Sequence, residues 1–169
     1  MENKRSYRAK SWKNKLILGN KVIGNDKDLE KISKKVNNLI IGIGQIGLPK
    51  KRQEIFKEII KYNFNYPIIK SSFSMVSLNT SIGCGTTIGH GAIVNANVKI
   101  GNQCIINSSA LIEHDVEIGN FCHISTGAII NGNVKIGDES FIGSGAIIRE
   151  GSEHIALVLK EDKLLEEIS

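Results

Sequence analysis

The chain has 169 residues, of which 41% are hydrophobic and 23% charged, and a formal net charge of +5. This size and balance predict a globular protein of one domain or two small ones and exclude an intrinsically disordered chain. No apolar run reaches the ~20 residues of a membrane span, and no apolar core follows the basic N-terminus, so we expect neither a membrane span nor a signal peptide.

The first fifteen residues are strongly basic and contain six Lys or Arg residues. A solvated tail is the favoured interpretation, and contact with nucleic acid or an acidic ligand is the alternative. We therefore expect no nucleic-acid partner.

Residues 16–72 have the pattern of a small α/β unit. Residues 26–36 and 49–63 show helical spacing, and Pro49 marks the start of the second helix. The apolar run at 37–44 predicts a buried strand, and a second strand is expected at 66–73. A ligand on such a sheet lies beyond the carboxyl ends of the strands, which points to Gly44. The surrounding G-x-G-x-x-G is only weak evidence for dinucleotide binding.

From Val76 to Glu153 the sequence repeats every six residues without insertion or deletion, and Val or Ile fills the first position of all thirteen hexads. This period fits neither an α-helix nor an alternating strand. It predicts a three-faced coil of 18 residues, with the first position pointing inward and parallel sheets spaced ~4.8 Å apart. The predicted fold is mainly β: a left-handed parallel β-helix over 73–153, preceded by an incomplete α/β domain over 1–72.

The positions of the three cysteines provide a test of the predicted 18-residue coil. Cys104 and Cys122 are 18 residues apart, so we expect them to stack in the interior of successive coils, whereas Cys84 has a different position in its hexad and should be exposed. An odd number of thiols without a secretion signal favours reduced cysteines in the cytoplasm. Residues 154–169 leave the repeat and predict a tail with a capping helix from about Lys160.

The segment IEHDVEIG places His114 between Glu113 and Asp115, at the outward third position of its hexad. A carboxylate bonded to one ring nitrogen fixes the tautomer and leaves the other nitrogen free to accept a proton, as a general base must. A merely solvated histidine is the alternative. Because His123 lies half a coil further on, the two histidines could share a site only across a subunit boundary.

The stretch 106–148, and above all IEHDVEIG and HISTGAIINGNVKIG, resembles the hexapeptide acyltransferases that modify sugars. More narrowly, it is similar to the sialic acid O-acetyltransferase family, which includes N-acetyltransferases acting on UDP-4-amino sugars, and LIIGIGQIGLPKKRQEIF resembles the same family. The resemblance covers roughly residues 16–151. It implies the left hand of the coil and an acetyl-CoA-dependent acetyltransferase of bacterial surface-glycan biosynthesis. It also implies a homotrimer with active sites between subunits and no metal.

The resemblance also implies residue roles. His114 matches the general base of the family, and Asp115 matches the carboxylate that raises the basicity of the imidazole. Two further groups match contacts to acetyl-CoA and to the substrate: His123, Gly132 (through its N–H) and Ser144 for acetyl-CoA, and Gly44 and Asn107 for the sugar substrate.

Two departures from the family pattern matter. No Gly-rich nucleotide-binding turn precedes Lys15, and no further coils follow the IGSGAII segment. They favour, as the alternative, a degenerate β-helix homologue without activity. A zinc carbonic anhydrase on the same prism needs three convergent histidines, which the spacing of His90, His114 and His123 disfavours. An ice-binding β-helix would need outward threonine ladders, and threonine is sparse in this sequence. The sequence leaves open which sugar is modified, and whether its acceptor atom is oxygen or nitrogen.

Overall fold

A computed structural model describes residues 14–153 and the backbone of a strand at Ile155–Val158. The capping helix predicted from about Lys160 and most of the basic tail lie outside these residues. The N-terminal part contains, in chain order, β1 (Leu16–Ile17), β2 (Asn20–Lys21), a 3₁₀ turn (Asp26–Asp28), α1 (Leu29–Ser33) and α2 (Lys50–Ile59).

Short strands make up the rest of the described chain: β3 (Ile69–Lys70), β4 (Met75–Val76), β5 (Ser81–Ile82), β6 (Thr87–Ile88), β7 (Ile93–Val94), β8 (Lys99–Ile100), β9 (Ile105–Ile106), β10 (Leu111–Ile112), β11 (Glu117–Ile118), β12 (His123–Ile124), β13 (Ile129–Ile130), β14 (Lys135–Ile142), β15 (Ile147–Ile148) and β16 (Ile155–Val158).

The hexapeptide region forms a left-handed parallel β-helix, which confirms the predicted fold. Each strand pairs in parallel with the strand one coil away, so that Ile112 lies beside Ile130 on one side and Val94 on the other. The 18-residue offset in these pairs shows that three hexads make one coil. Residues at the first position are buried from Ile88 to Ile148, as predicted, and Ile112 and Ile130 are 0% exposed, whereas Val76 and Ile82 at the open end are partly buried. Truncating one of them to Ala would cost about 2–5 kcal/mol.

The outward side chains give the three faces different characters. The apolar face consists of β4, β7, β10, β13 and β15 and presents Met75, Ile93, Leu111, Ile129 and Ile147. The charged face consists of β5, β8, β11 and the start of β14 and presents Ser81, Lys99, Glu117 and Lys135. The covered face consists of β3, β6, β9, β12 and the end of β14 and presents Ile69, Thr87, Ile105, His123 and Phe141.

The corners depend on one backbone conformation. In every hexad from 85 to 151, the fourth residue has a positive φ, as in Asn97 and Asp115, both at 61°. Side chains disfavour this left-handed region, and Asn and Asp adopt it more readily than most. Asp115 therefore occupies a corner position that suits an Asp, directly after His114.

The two stacked cysteines behave as predicted. Cys104 and Cys122 are both buried, and each thiol lies 3.0 Å from a carbonyl oxygen of the coil above, that of Gly119 or Gly137. Cys84 is exposed. The small fifth position thus fills the narrow interior beside a corner.

The N-terminal part differs from the predicted α/β unit. The buried strand expected at 37–44 is wrong, because only an isolated bridge between Asn38 and Asn65 forms there and Ile40 is 47% exposed. Within the described residues this apolar run has no neighbouring strand to complete a sheet. The helix after Pro49 is confirmed as α2, and α1 is shorter than the predicted 26–36.

Helix α2 fixes the N-terminal part to the coil. Phe56 packs edge-on against Phe121 and Tyr66, with ring centroids 5.6 and 5.3 Å apart. Arg52 is buried and donates to the carbonyls of Ile43 (2.9 Å) and Gln103 (2.7 Å). One guanidinium thus ties the loop before α2 to a corner of the coil.

Candidate active site

His114 lies at the corner between the apolar and charged faces, which we call the His114 corner (residues 113–116). Its Nδ1 is 2.8 Å from Oδ2 of Asp115, and both side chains are about half exposed. In the neutral imidazole, Nδ1–H donates to the carboxylate, which leaves Nε2 as the acceptor. The structure therefore contains the pair that the sequence placed together.

Electrostatics at this corner favour the protonated ring. The hydrogen bond that His114 donates to Asp115 is the main cause that raises the pKa of His114 above its ordinary 6.5, and the charges of Asp115, Glu113 and Glu150 add to it. The pKa of Asp115 is lowered, first by a hydrogen bond from Asn97 and then by the one from His114. A raised imidazole pKa suits a group that takes up a proton and later returns it.

Gly132 lies one coil above His114, next to its ring. A Cβ at Gly132 would be 2.8 Å from Cε1 and 3.0 Å from Nε2 of His114. Any larger residue would therefore push the imidazole away from its position. The N–H of Gly132 has no hydrogen-bond acceptor among residues 14–153.

His123 has the opposite surroundings on the covered face. It is 6% exposed, its Nδ1–H donates to the carbonyl of Gln45 (2.6 Å), and its Nε2 lies 3.2 Å from Nδ2 of Asn107. Phe141 packs edge-on against the ring at 5.2 Å. Burial lowers the pKa of His123, and the charge of Arg52 adds to this, although the Gln45 carbonyl acts the other way.

The remaining predicted site residues lie near His123 rather than near His114. Asn107 follows β9 and contacts His123. Ser144 is exposed, with its Oγ 2.9 Å from that of Ser125. Gly44 is exposed in the loop that carries Gln45, and a Cβ there would meet no atom within 4 Å.

The structure thus divides the predicted residues into two groups. His114, Asp115 and Gly132 share one corner, whereas Asn107, His123 and Ser144 lie on or beside the covered face. The apolar face separates the two groups within one chain.

Sequence reasoning missed three residues that shape these groups. Asn97 was detectable, because it precedes Asp115 by one 18-residue coil. Gln45 and Arg52 contact residues 78 and 51 positions away, outside any repeat, so no sequence signal pointed to them.

Two other features of the described residues bear on function. No cluster of three or more His, Cys, Asp or Glu in that part of the chain could hold a metal ion, and none of its helices has the length and apolarity to cross a bilayer. A shallow depression of about 390 Å³ runs along the charged face beside Lys99, Glu117 and Lys135, and its lining does not include His114.

Known proteins share this fold. The family described as bacterial transferase hexapeptide (six repeats) matches residues 79–114 and 115–150. The acetyltransferase domain of PglB from Neisseria gonorrhoeae, solved in complex with acetyl coenzyme A, is 30% identical with a TM-score of 0.75, over 82% of this chain and 66% of that chain. No curated protein sequence matches the chain.

Two other solved structures are similar in fold. A histidine variant of perosamine N-acetyltransferase from Caulobacter crescentus, in complex with CoA and GDP-perosamine, is 23% identical with a TM-score of 0.68, over 83% of this chain and 75% of that chain. WeeI from Acinetobacter baumannii is 23% identical with a TM-score of 0.69, over 88% of this chain and 74% of that chain.

Proposed function

We propose that this chain is a hexapeptide-repeat acetyltransferase that transfers the acetyl group of acetyl-CoA to an amino or hydroxyl group of a sugar or nucleotide-sugar. The PglB domain, which is 30% identical, is known in complex with acetyl coenzyme A, and the perosamine enzyme with GDP-perosamine. Within this chain, the observation that carries the proposal is the His114–Asp115 pair, which leaves Nε2 free to accept a proton.

The reaction is a direct attack on the thioester. Nε2 of His114 removes a proton from the acceptor amine or hydroxyl as its nitrogen or oxygen bonds to the acetyl carbon. The tetrahedral intermediate then collapses, the C–S bond breaks, and the imidazolium returns its proton to the CoA thiolate. Asp115 stabilises the imidazolium between these two steps.

Gly132 is the proposed donor to the oxyanion. Its N–H has no acceptor among the described residues, and the residue lies next to the ring that carries Nε2. A donor and a base next to each other can serve the two ends of one reacting carbonyl.

The remaining roles require a second subunit. We assign His123 and Ser144 to acetyl-CoA binding, and Asn107 and Gly44 to the sugar substrate. These residues lie across the apolar face from His114, and that face exposes Met75 (55%) and Ile147 (63%). A homotrimer that packs through this face would bury its apolar residues and bring the His114 corner of one chain beside the covered face of the next. Nε2 of His123 is an acceptor that already receives the Asn107 amide, so it could accept an N–H of CoA only by releasing Asn107.

The proposed setting follows from the chemistry. Acetyl-CoA and reduced thiols are both cytoplasmic, so we place the protein in the cytoplasm, where an acetylated sugar would enter bacterial surface-glycan synthesis.

Calorimetry with acetyl-CoA, followed by an assay of CoA release with GDP-perosamine or a UDP-4-amino sugar, tests this function. We expect micromolar binding of acetyl-CoA and CoA release that depends on the sugar. No binding at high micromolar acetyl-CoA would instead support the degenerate, non-catalytic homologue.

Light scattering tests the shared site. We expect a trimer, and we expect Leu111→Lys on the apolar face to dissociate it and abolish transfer, whereas Lys99→Ala on the charged face should leave it trimeric. A folded and active monomer would overturn the proposed shared site.

A further inference from the structure

The coil before His114 carries two asparagines in register with the two acidic neighbours of that histidine. The segment 95–97 lies one coil below 113–115. Nδ2 of Asn97 donates to Oδ1 of Asp115 at 2.5 Å, and Nδ2 of Asn95 donates to Oε2 of Glu113 at 2.9 Å. Both carboxylates that flank the imidazole are thus held from the same side.

The Asn97–Asp115 and Asn95–Glu113 hydrogen bonds differ in whether the carboxylate also contacts the His114 ring. Asp115 uses Oδ1 for Asn97 and Oδ2 for His114, so that both of its oxygens are engaged. Glu113 has no such hydrogen bond to the ring. The amide of Asn97 therefore fixes the carboxylate that fixes the imidazole, whereas Asn95 fixes only a neighbouring charge.

The exposure of this corner makes such a support necessary. His114 and Asp115 have side chains that are 58% and 47% exposed, so water competes for each of their polar atoms. An isolated exposed pair spends much of its time open, because holding two side chains in one geometry costs conformational entropy. A second hydrogen bond on the carboxylate removes its freedom to rotate away.

We propose that Asn97 is a positioning residue for His114, acting through Asp115 to hold Nδ1 and to aim Nε2. The importance of this positioning for catalysis rests on the proposed function, in which His114 is the general base. The positioning itself is a property of the free protein and is measurable without substrate.

Titration of His114 supports this assignment. Its ring is influenced by the carboxylates of Asp115, Glu113 and Glu150, and the hydrogen bond that it donates to Asp115 is the largest of these influences on its pKa. If Asn97 is lost, the bond between Asp115 and His114 forms less of the time. The pKa of His114 then falls toward its ordinary 6.5, and that of Asp115 rises toward its ordinary 3.8.

The corner backbone provides a clean variant and a matched control. Asn97 and Asn133 both sit at the fourth position of a hexad, with φ of 61° and 55°. Glycine adopts this conformation without strain, so Asn→Gly removes the amide and keeps the turn. Asn133 follows Asp115 by one coil, and its side chain makes no hydrogen bond within residues 14–153.

The experiment is an NMR titration of the His114 ring in the wild-type protein, Asn97→Gly and Asn133→Gly, with circular dichroism to confirm the fold. We expect Asn97→Gly to lower the pKa of His114 and to convert the ring from the Nδ1–H tautomer to a mixture of tautomers. Asn133→Gly should match the wild type. An unchanged pKa and tautomer in Asn97→Gly would overturn the proposal, and so would an equal change in both variants.

A double-mutant cycle identifies the route. If Asn97 acts through Asp115, then Asn97→Gly should have no further effect on the ring in an Asp115→Asn background. An additional shift of the same size in that background would show a separate action of Asn97 and overturn the proposal.

A kinetic assay distinguishes the positioning role of Asn97 from the proposed acetyltransferase activity. With a transferable sugar, we expect Asn97→Gly to reduce kcat about tenfold, below the ~10²-fold of a general base, with the KM for acetyl-CoA unchanged. If the wild type transfers nothing while the ring responds as described, the proposed function fails and the positioning role stands.

Discussion

His114 and His123 are nine residues apart in one solenoid, yet their surroundings shift their pKa values in opposite directions. At the exposed corner, the hydrogen bond with Asp115 raises the pKa of His114. On the covered face, burial lowers the pKa of His123, and both of its ring nitrogens have partners in the chain. One histidine is suited to exchange a proton and the other to remain neutral.

The repeat accounts for part of the difference, because it places His114 at a corner and His123 on strand β12. The rest comes from what lies outside each coil. Within residues 14–153, the His114 corner is bordered by Asn97 and by carboxylates of its own and neighbouring coils, whereas the covered face receives the loop of Gln45, held in place by Arg52. Non-repeating residues thus determine which histidine of the repeat is reactive.

Removing the exposed imidazole should have the largest effect. We expect His114→Gln to lower kcat by about 10²–10⁴-fold, the usual range for a general base, while the free energy of unfolding changes little. In the wild type, kcat/KM should fall as the pH drops through the raised pKa of His114, because protonation occupies Nε2.

The matched control for that change is His90→Gln. His90 is also exposed and has a ring contact with Phe73, but it has no hydrogen bond to a carboxylate in the described residues. A steady-state assay of CoA release across pH 5.5–9 measures both variants. Full activity of His114→Gln would remove this residue from the mechanism.

Releasing the loop that covers His123 should have the next largest effect. In Arg52→Leu, the carbonyls of Ile43 and Gln103 lose charge-assisted donors, each worth ~1.5–3 kcal/mol, so we expect destabilisation of about 3 kcal/mol. The pKa of His123 should rise toward 6.5, because a nearby positive charge is lost and the ring becomes more exposed.

Urea unfolding measures the stability of Arg52→Leu, and NMR titration measures the ring. Lys51→Leu is the control, since Lys51 is exposed and only pairs with Glu54 on the surface of α2. Equal stability of the two variants would show that Arg52 does not hold the loop.

Crowding the exposed histidine should have an intermediate effect. In Gly132→Ala, the new methyl group would lie 2.8 Å from Cε1 of His114 and displace the ring from Asp115. We expect a loss of roughly tenfold in kcat, since small misplacements of reacting groups reduce rates strongly, and a lower pKa of His114. Gly42→Ala, where a Cβ meets no atom within 4 Å, is the control. Wild-type activity of Gly132→Ala would show that the ring tolerates the methyl group.

The sequence was sufficient to predict what repeats and what is local. Thirteen hexads in phase determine the coil, its 18-residue register and the stacking of Cys104 on Cys122. The His114–Asp115 contact joins adjacent residues at a corner, so their spacing alone brings them together. Asn97 follows from the same register, once positions one coil apart are compared.

Contacts between the coil and the N-terminal part could not be predicted. The run at 37–44 has the composition of a buried strand, but no neighbouring strand completes a sheet with it in the described residues. Its loop instead supplies the Gln45 carbonyl to His123, 78 residues away. Periodicity carries no information on such a pair, and the burial of His123 was therefore missed.

The smallest effect concerns acid stability, where the two histidines should act with opposite signs. The folded state keeps His123 neutral, so its pKa is lower than the 6.5 of the unfolded chain. Between those two values the unfolded chain binds more protons, and the free energy of unfolding falls as the pH decreases below about 6.5. His114 has the opposite sign: its raised pKa stabilises the fold fully below 6.5, and this contribution is lost as the pH rises through the folded value.

The two contributions partly cancel in the wild type, so the test uses a His114→Gln background. There we expect stability to decrease from pH 7.5 to 5.5. Adding His123→Asn, which retains a donor for the Gln45 carbonyl but cannot titrate, should remove most of that decrease. Asp115 and Glu117 do not interfere, because their lowered pKa values lie below this range. Urea unfolding at fixed protein concentration measures the change, and an undiminished decrease in the double variant would show that the covered histidine is not the group that protonates.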